Sequence, residues 1–232
     1  MTLKEKIIKV SYDLFGTQGY EETTIANIVK ASGSSKGGFY HHFKSKEDII
    51  DTTFDSYVDD LKTYYNNLYD FYNNDTIKVF NGVFKAINIY KSDYVIRWPD
   101  FMKMLSSEGN GLIRMRMEES IGKMTEAFYS ELIQKGNHEG LWSIDTPCNI
   151  AGLWTREILR IYTEISMLIS DYNEYNYNKF VSLLEFDEHL INLLLSTDQI
   201  AIKEETLNYF KLAKPNSAQM DINSYKTLNK IV

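Results

Sequence analysis

The chain has 232 residues, of which 44% are hydrophobic, and it carries a net charge of −7 at pH 7. This hydrophobic fraction supports a folded core and excludes a disordered chain, while no apolar run approaches the roughly 20 residues of a membrane-spanning helix. No export signal is visible at the N-terminus and Cys148 is the single cysteine, which excludes an intramolecular disulfide and favours the cytoplasm as the compartment.

The negative charge is unevenly distributed along the chain. Residues 1–50 hold seven lysines and six acidic residues, a net charge of +1, whereas residues 51–232 carry −8. This asymmetry indicates that only the N-terminal segment approaches a polyanion such as nucleic acid. Ordinary solubilising surface accounts for most of the negative charge elsewhere.

Helical periodicity recurs along almost the whole chain, and no alternating strand pattern of useful length occurs. The predicted fold class is therefore all-α. Helix one is predicted from about Thr2 to Gln18, with a capping box between Thr2 and Glu5. Gly19 supplies its C-terminal stop.

Two short helices joined by a tight turn follow helix one. Helix two is predicted to begin after Thr24 as its N-cap and to end near Gly33, a glycine that allows a sharp turn. Helix three spans roughly 35–43, and its Phe39 and Phe43 lie four residues apart, facing the core. The opposite side carries small, basic, aromatic and imidazole side chains. This layout predicts a helix-turn-helix DNA reader.

The rest of the chain is predicted to form longer helices. Ser45 caps helix four with Asp48 at the third helical position. Further helices are expected at about 75–90, 94–106, 110–137, 146–172, 177–196 and 198–212. We expect a helix-turn-helix domain over 1–47, a larger helical domain over 48–212 and a polar C-terminal tail over 213–232.

The run LFGTQGYEETTIANIVKASGSSKGGFYHHFKSKEDII, which starts at Leu14, resembles the N-terminal signature of the tetracycline-repressor (TetR) family. The similarity covers about residues 7–50, a fifth of the chain. It implies a homodimeric all-α transcriptional regulator, usually a repressor. In such a regulator the larger domain binds a small molecule and so changes the distance between two DNA-reading heads.

The resemblance also implies which residues meet double-stranded operator DNA, which we expect to be palindromic. By their positions in the family motif these are Thr24, Ser34, Ser35, Lys36, Gly37, Gly38, Tyr40, His41, His42 and Lys46. Lys36 is the best candidate for reading a base, because lysine can donate to guanine O6 and N7. Phosphate contacts, which fix register without reading sequence, suit Thr24, Tyr40, His42 and Lys46.

Two features depart from the family pattern. Gly37 and Gly38 place two glycines inside the recognition helix, at a cost of about 1 kcal/mol each against alanine. They either leave the helix marginally stable until DNA binding orders it, or let its backbone approach the DNA groove closely. Ile25 stands where some relatives carry a basic DNA contact, so that contact is missing.

An effector site is predicted among the middle helices, in a stretch rich in methionine and aromatic residues. The candidate residues are Trp98, Phe101, Met102, Met115, Phe128 and Trp154. Methionine fills irregular space and adapts to varied ligands, so these side chains could line a partly apolar cavity for a small molecule. Ordinary core packing explains the same residues.

Apolar stripes on the helices predicted at 146–172 and 177–196 indicate a four-helix homodimer interface. The alternative is that one stripe serves only the internal core. Asp187 interrupts the second stripe. We interpret it as lying at the edge of the stripe, with pairing to Arg156 or Arg160 as the alternative.

Catalytic, cofactor and metal chemistry have no support in the sequence. No nucleophile elbow, phosphate-binding glycine loop or paired cysteine occurs, so we expect no enzyme activity, catalytic residue or cofactor. The neighbours His41 and His42 lack further ligands at metal-binding spacing, which argues against a metal site. Two other functions stay open: a DNA-binding regulator without an effector, and a small-molecule-binding module that has lost operator binding.

Overall fold

The structure, a computed structural model, describes residues 1–83, 104, 107–170 and 172–213. Its helices are α1 (Leu3–Gln18), α2 (Ile25–Ser32), α3 (Lys36–His42), α4 (Lys46–Phe71), α5 (Gly111–His138), α6 (Pro147–Ser170), α7 (Glu174–Leu195) and α8 (Lys203–Ala213). Residues 76–83 are also helical, and a 3₁₀ turn, Glu108–Asn110, precedes α5. No strand occurs within these ranges, and the predicted all-α fold class is confirmed.

The described residues form two compact units. Unit 1 contains residues 1–60, 104 and 107–121, and unit 2 contains the remaining described residues. Helices α4 and α5 each contribute residues to both units. Within the described part of the chain, no helix is both long enough and apolar enough to cross a membrane.

Local capping explains where the N-terminal helices start. In α1 the Thr2 N–H donates to Glu5 Oε2 at 2.8 Å, and the Glu5 N–H donates to Thr2 Oγ1 at 3.3 Å. This confirms the predicted capping box. Ser45 Oγ accepts the Asp48 N–H at 3.2 Å, but the Asp48 carboxylate accepts from the Lys44 N–H instead of from Ser45. The predicted cap is therefore present and the reciprocal half of its box is not.

Two later helices begin at residues other than those predicted. Helix α7 starts three residues early, because the Asn173 side chain accepts the Asn176 N–H at 2.9 Å and so caps the first turn.

The helices predicted at 110–137 and 146–172 correspond to α5 and α6. Most of the helix predicted at 94–106 lies outside the described residues, as does the tail from residue 214 onward.

Helix α8 starts five residues later than predicted because two side chains of α7 hold the preceding loop. Asn192 accepts the Ile200 N–H at 3.0 Å and donates to the Ile200 carbonyl at 2.8 Å. Glu188 Oε2 accepts the N–H groups of Ile202 and Lys203 at 2.7 and 2.9 Å. The glutamate thereby satisfies N–H groups at the start of α8 that have no partner within the helix.

Most members of the two apolar stripes on the late helices are buried within the chain itself. The buried members are Ala151, Trp154, Ile158, Ile161, Ile165 and Leu168 on α6, and Phe180, Leu184, Ile191 and Leu195 on α7. Helices α6 and α7 pack against each other. The chain's own core thus covers these members, whereas Leu183, Leu190 and Leu194 of the α7 stripe are only half-buried. The four-helix homodimer interface stays a prediction.

Asp187 is not at the edge of its stripe. Its side chain is 0% exposed, and its Oδ1 lies 2.7 Å from Nη2 of Arg160 on α6. Burial raises the pKa of Asp187 to about 6, and the Arg160 guanidinium opposes that rise. The edge interpretation is wrong, and the alternative of pairing with Arg160 is correct.

Candidate nucleic-acid interface

The turn between α2 and α3 depends on Gly33. This residue has φ +65°, in the left-handed region that favours glycine. Its N–H donates to the Lys30 carbonyl at 3.3 Å, and the Ser34 N–H donates to the Val29 carbonyl at 3.1 Å. These bonds satisfy carbonyls at the end of α2 and let α3 begin at Lys36, three residues after Gly33. The predicted sharp turn at this glycine is confirmed.

Helix α3 has one buried face and one exposed face. Phe39 and Phe43 are fully buried, with ring centroids 6.1 Å apart, and they attach the helix to the core. Lys36, Gly37 and His41 are exposed, and Tyr40 is about half exposed. The predicted division of α3 into a core face and a small, basic and aromatic outer face is confirmed.

The ten predicted DNA contacts come from three elements of unit 1: the N-cap of α2, the turn with α3, and the first residue of α4. The exposed members are Thr24, Ser35, Lys36, Gly37, Tyr40 and His41. The half-buried members are Ser34, Gly38, His42 and Lys46. Their roles on DNA stay predictions.

The hydroxyl groups at the helix starts already have partners in the free protein. Thr24 Oγ1 accepts the Asn27 N–H at 3.2 Å, and Ser35 Oγ accepts the Gly38 N–H at 2.9 Å. Ser34 Oγ accepts a hydrogen bond from Ser32 at 3.0 Å. These bonds fix the starts of α2 and α3 and the turn between the two helices, so this part of the surface is ordered before any ligand binds.

The two glycines of α3 have different surroundings. A Cβ added at Gly38 would lie 3.3 Å from Ser35 Oγ and 3.4 Å from Leu3 Cδ2, whereas one added at Gly37 would meet nothing closer than 3.9 Å. Gly38 therefore faces α1, where space is limited. Gly37 faces open space on the predicted DNA side, which favours the interpretation that it admits close approach of a groove.

Lys46 is held by the turn that precedes α2. Its Nζ donates to the carbonyls of Tyr20 at 2.8 Å and Glu21 at 3.3 Å, and lies 4.2 Å from the centroid of the Tyr20 ring. An ammonium has three N–H donors, and these carbonyls use two of them. The side chain that we predict to contact phosphate thus has a fixed position in the free protein.

Sequence reasoning missed the role of Tyr20 and Glu47 in holding this site. The Tyr20 hydroxyl donates to Glu47 Oε1 at 2.7 Å, which lowers the pKa of the Glu47 carboxyl. Burial, reinforced by this carboxylate, raises the pKa of Tyr20 well above its ordinary value. The phenol therefore stays protonated and donates at physiological pH.

Asn110 is a second residue that sequence reasoning missed. Its side chain is 1% exposed. Nδ2 donates to the carbonyls of Phe15 and Met104 at 2.9 and 2.8 Å, and Oδ1 accepts the Tyr20 N–H at 2.9 Å. Since these partners lie up to 95 residues away in the chain, no local sequence pattern indicates them.

The candidate effector residues fall into three groups. Trp98, Phe101 and Met102 lie outside the described residues. Met115 is 58% exposed on α5. Phe128 and Trp154 are buried in unit 2.

Phe128 and Trp154 belong to one aromatic cluster, and Tyr129 joins them. The centroid of the Tyr129 ring lies 5.5 Å from that of Phe128 and 6.4 Å from that of Trp154, both with edge-to-face geometry. The ring of Tyr65 packs on that of Phe128, with the two ring centroids 4.4 Å apart. The hydroxyl groups of Tyr65 and Tyr129 are buried in this cluster, near the side chains of Thr125 and Trp154 respectively. The cluster thus combines buried aromatic rings with a few polar atoms.

Metal chemistry has no site in the part of the chain that the structure describes. No group of three or more His, Cys, Asp and Glu side chains there is arranged to hold an ion. The rings of His41 and His42 pack edge to face instead, with centroids 4.9 Å apart.

Comparison with known proteins gives the same interpretation of the N-terminal segment. Residues 7–52 match the model of the bacterial regulatory proteins of the tetR family. Over 50 residues the chain is 53% identical to the HTH-type transcriptional regulator QacR of Staphylococcus aureus. This alignment covers 22% of the chain and 27% of QacR, so the chain spans only about a quarter of that relative.

Two longer matches extend beyond the N-terminal segment. The HTH-type transcriptional repressor KstR2 of Mycolicibacterium smegmatis is 24% identical over 157 residues, covering 66% of the chain and 74% of the repressor. A TetR-family transcriptional regulator from Syntrophomonas wolfei superposes with a TM-score of 0.61 at 20% identity, covering 82% of the chain and 94% of that structure. At this identity the superposition shows the fold. Residues 7–52 of the chain are thus similar to the tetR family of bacterial regulatory proteins, and the curated relatives that they match are named transcriptional regulators.

Proposed function

We propose that the chain is a dimeric cytoplasmic transcriptional regulator that binds operator DNA and is released from it by a small molecule. The observation that carries this proposal is the outer face of α3. Buried Phe39 and Phe43 hold the helix to the core, and they leave Lys36 and Tyr40 on the outside. Repression is the preferred direction of control because relatives such as KstR2 are named repressors.

The DNA-reading part is residues 1–47, with the ten contacts from Thr24 to Lys46 named above. Lys36 reads a base in the major groove, and most of the other side chains bond phosphates. With a net charge of only +1 over residues 1–50, one head offers few phosphate contacts. Because non-specific affinity grows with each phosphate neutralised, two heads on one DNA are needed for tight binding.

The effector-binding and dimerisation part is residues 48–212, followed by the tail 213–232. For the dimer, large apolar side chains left on the surface of α6 and α7 support an interface on their outer sides. Phe186 and Leu193 are 60% and 67% exposed, lie seven residues apart and so share one face of α7. Met167 on α6 is also exposed.

For the effector, the aromatic cluster of unit 2 supports a partly apolar small molecule. Ligand sites combine apolar walls with a few polar groups that fix orientation. Phe128 and Trp154 supply walls, and the buried hydroxyls of Tyr65 and Tyr129 supply polar atoms.

The decisive experiment is selection of bound DNA from a random duplex pool with the full-length protein. A palindrome whose half-sites lie about one helical turn apart, roughly 10 base pairs, is expected from paired readers. A parallel selection with Lys36→Ala should yield a motif that is degenerate at one position in each half-site. If the wild type enriches no sequence, the proposed function is incorrect.

A further inference from the structure

We propose that Asn110 positions the DNA-binding head by acting through Tyr20 on Lys46, without touching DNA itself. This inference rests on the proposed DNA-binding function. It concerns a side chain outside the helix-turn-helix segment, in the 3₁₀ turn that precedes α5.

Asn110 completes the C-terminal end of α1. The last four carbonyls of a helix lack partners within it, and Phe15 carries one of them because α1 ends at Gln18. The last turn of α1 has no basic residue to serve this role. Asn110 Nδ2 donates to the Phe15 carbonyl at 2.9 Å, so a distant amide acts as the cap.

The same amide fixes the residue that follows α1. Asn110 Oδ1 accepts the Tyr20 N–H at 2.9 Å, and the other Nδ2 hydrogen is donated to the Met104 carbonyl at 2.8 Å. Both N–H groups and the oxygen of the amide are therefore used. The side chain is 1% exposed, so its three main-chain partners are shielded from bulk solvent and lose these bonds when the amide is removed.

Tyr20 passes this restraint to Lys46. Its carbonyl accepts Lys46 Nζ at 2.8 Å, and its ring lies beneath that ammonium at 4.2 Å. Its hydroxyl donates to Glu47 Oε1 at 2.7 Å, one residue further along α4. The position of the Lys46 ammonium is thus set by Tyr20, and the Tyr20 backbone is set by Asn110.

A purely structural role for Asn110 makes a different prediction. Under that role, loss of the amide lowers the free energy of unfolding but leaves DNA affinity unchanged once all the protein is folded. A positioning role lowers affinity in the fully folded protein. It also makes the effects of Asn110 and Lys46 non-additive, because both act on the same phosphate contact.

The test compares matched variants of the full-length protein on the DNA selected from the random pool. Asn110→Ala removes the amide, and Asn110→Leu removes its hydrogen bonds while keeping most of its volume. Asn137→Ala is the control, since Asn137 makes two similar bonds at 2.8 Å to the Ile144 main chain in unit 2. Affinities are measured well below each unfolding midpoint, together with amide hydrogen exchange at Tyr20.

Both Asn110 variants should bind the DNA about tenfold more weakly than the wild type, as expected for buried partners left unsatisfied. The Tyr20 amide should lose its protection from exchange, and Asn137→Ala should keep wild-type affinity. In a Lys46→Ala background, Asn110→Ala should cost less than about threefold, because the contact that it positions is already gone.

Each other outcome identifies what is incorrect. Wild-type affinity in Asn110→Ala and Asn110→Leu overturns the inference and leaves the proposed function standing. A full tenfold loss in the Lys46→Ala background overturns the route through Lys46. A wild type that selects no DNA overturns the proposed function, and the inference falls with it.

Discussion

Asp187 on α7 and Arg160 on α6 form an ion pair in which the carboxylate is completely buried. Asp187 Oδ1 lies 2.7 Å from Arg160 Nη2, and the same guanidinium also pairs with Glu157. Asp187 Oδ2 makes no hydrogen bond to any described residue. A buried carboxylate with one unsatisfied oxygen depends strongly on its single cationic partner.

Removing that partner should destabilise the protein. Arg160→Ala is expected to lower the free energy of unfolding by about 3 kcal/mol at pH 7, because it leaves a buried carboxylate without a compensating charge. Chemical denaturation with a two-state fit provides the measurement. Arg156→Ala is the matched control, since Arg156 is exposed on the same helix, and it should change stability by less than about 0.5 kcal/mol. Equal effects of the two variants would contradict the assigned pair.

The same carboxylate should make stability depend on pH. The pKa of Asp187 is about 6, raised from 3.8, so the folded state holds this proton more tightly than the unfolded chain. The stabilisation is complete below about pH 4 and is lost as pH rises through about 6. Asp187→Asn should remove this part of the pH dependence, as measured by unfolding at pH 4, 5, 6 and 7. A variant that retains the wild-type slope would show that another group titrates there.

Helix starts were predictable from the sequence where a cap and its partner lie three residues apart. Thr2 with Glu5 and Ser45 with Asp48 are such cases. Spacing along the chain encodes these bonds, because the helix brings residues i and i+3 together in any surrounding.

The late start of α8, the cap at Asn110 and the burial of Asp187 were not predictable. In each case the deciding partner comes from a distant part of the chain or from another helix, and no periodic pattern records it. Asn110 bonds to a carbonyl 95 residues earlier, and Asp187 bonds to an arginine 27 residues earlier. Likewise, an apolar stripe shows that a helix face is covered but not whether the cover is the chain's own core or a partner.

Two lysines of the proposed interface should respond differently to DNA sequence. Lys36→Ala should weaken operator binding by about 1–3 kcal/mol and relax specificity at one base position, because its target is a base edge. Lys46→Ala should weaken binding to all sequences alike and reduce the salt slope by about one, because its target is a phosphate. Titrations of selected and scrambled duplexes at several salt concentrations distinguish the two.

The control for these lysines is Lys78→Ala. Lys78 lies in unit 2 and pairs with Asp75 at 3.2 Å, so neither affinity nor salt slope should change. If Lys36→Ala behaves like Lys78→Ala, the assignment of α3 as the reading helix is wrong.

The open surroundings of Gly37 lead to opposite effects on stability and on binding. Gly37→Ala should raise the free energy of unfolding by about 0.5–1 kcal/mol through helix propensity. The same methyl group should weaken operator binding if the backbone approaches the groove there. Gly38→Ala should gain less stability, since its methyl group would crowd Ser35 Oγ at 3.3 Å. Thermal unfolding measures the stability of the two variants, and DNA titration measures their operator affinity. Unchanged affinity in Gly37→Ala would favour the explanation that the glycines leave α3 marginally stable until DNA binding orders it.

The exposed apolar face of α7 should determine the oligomeric state. Phe186→Glu and Leu193→Glu place a charge on side chains that are 60% and 67% exposed, so the isolated chain should tolerate them. Within a dimer interface, each would bury an unpaired carboxylate and shift the protein toward monomer. Sedimentation equilibrium measures the shift, and operator affinity should fall with it because one head holds too few phosphates. Leu112→Glu, at a residue 60% exposed on α5, should leave the dimer intact. A stable dimer in both α7 variants would place the interface elsewhere.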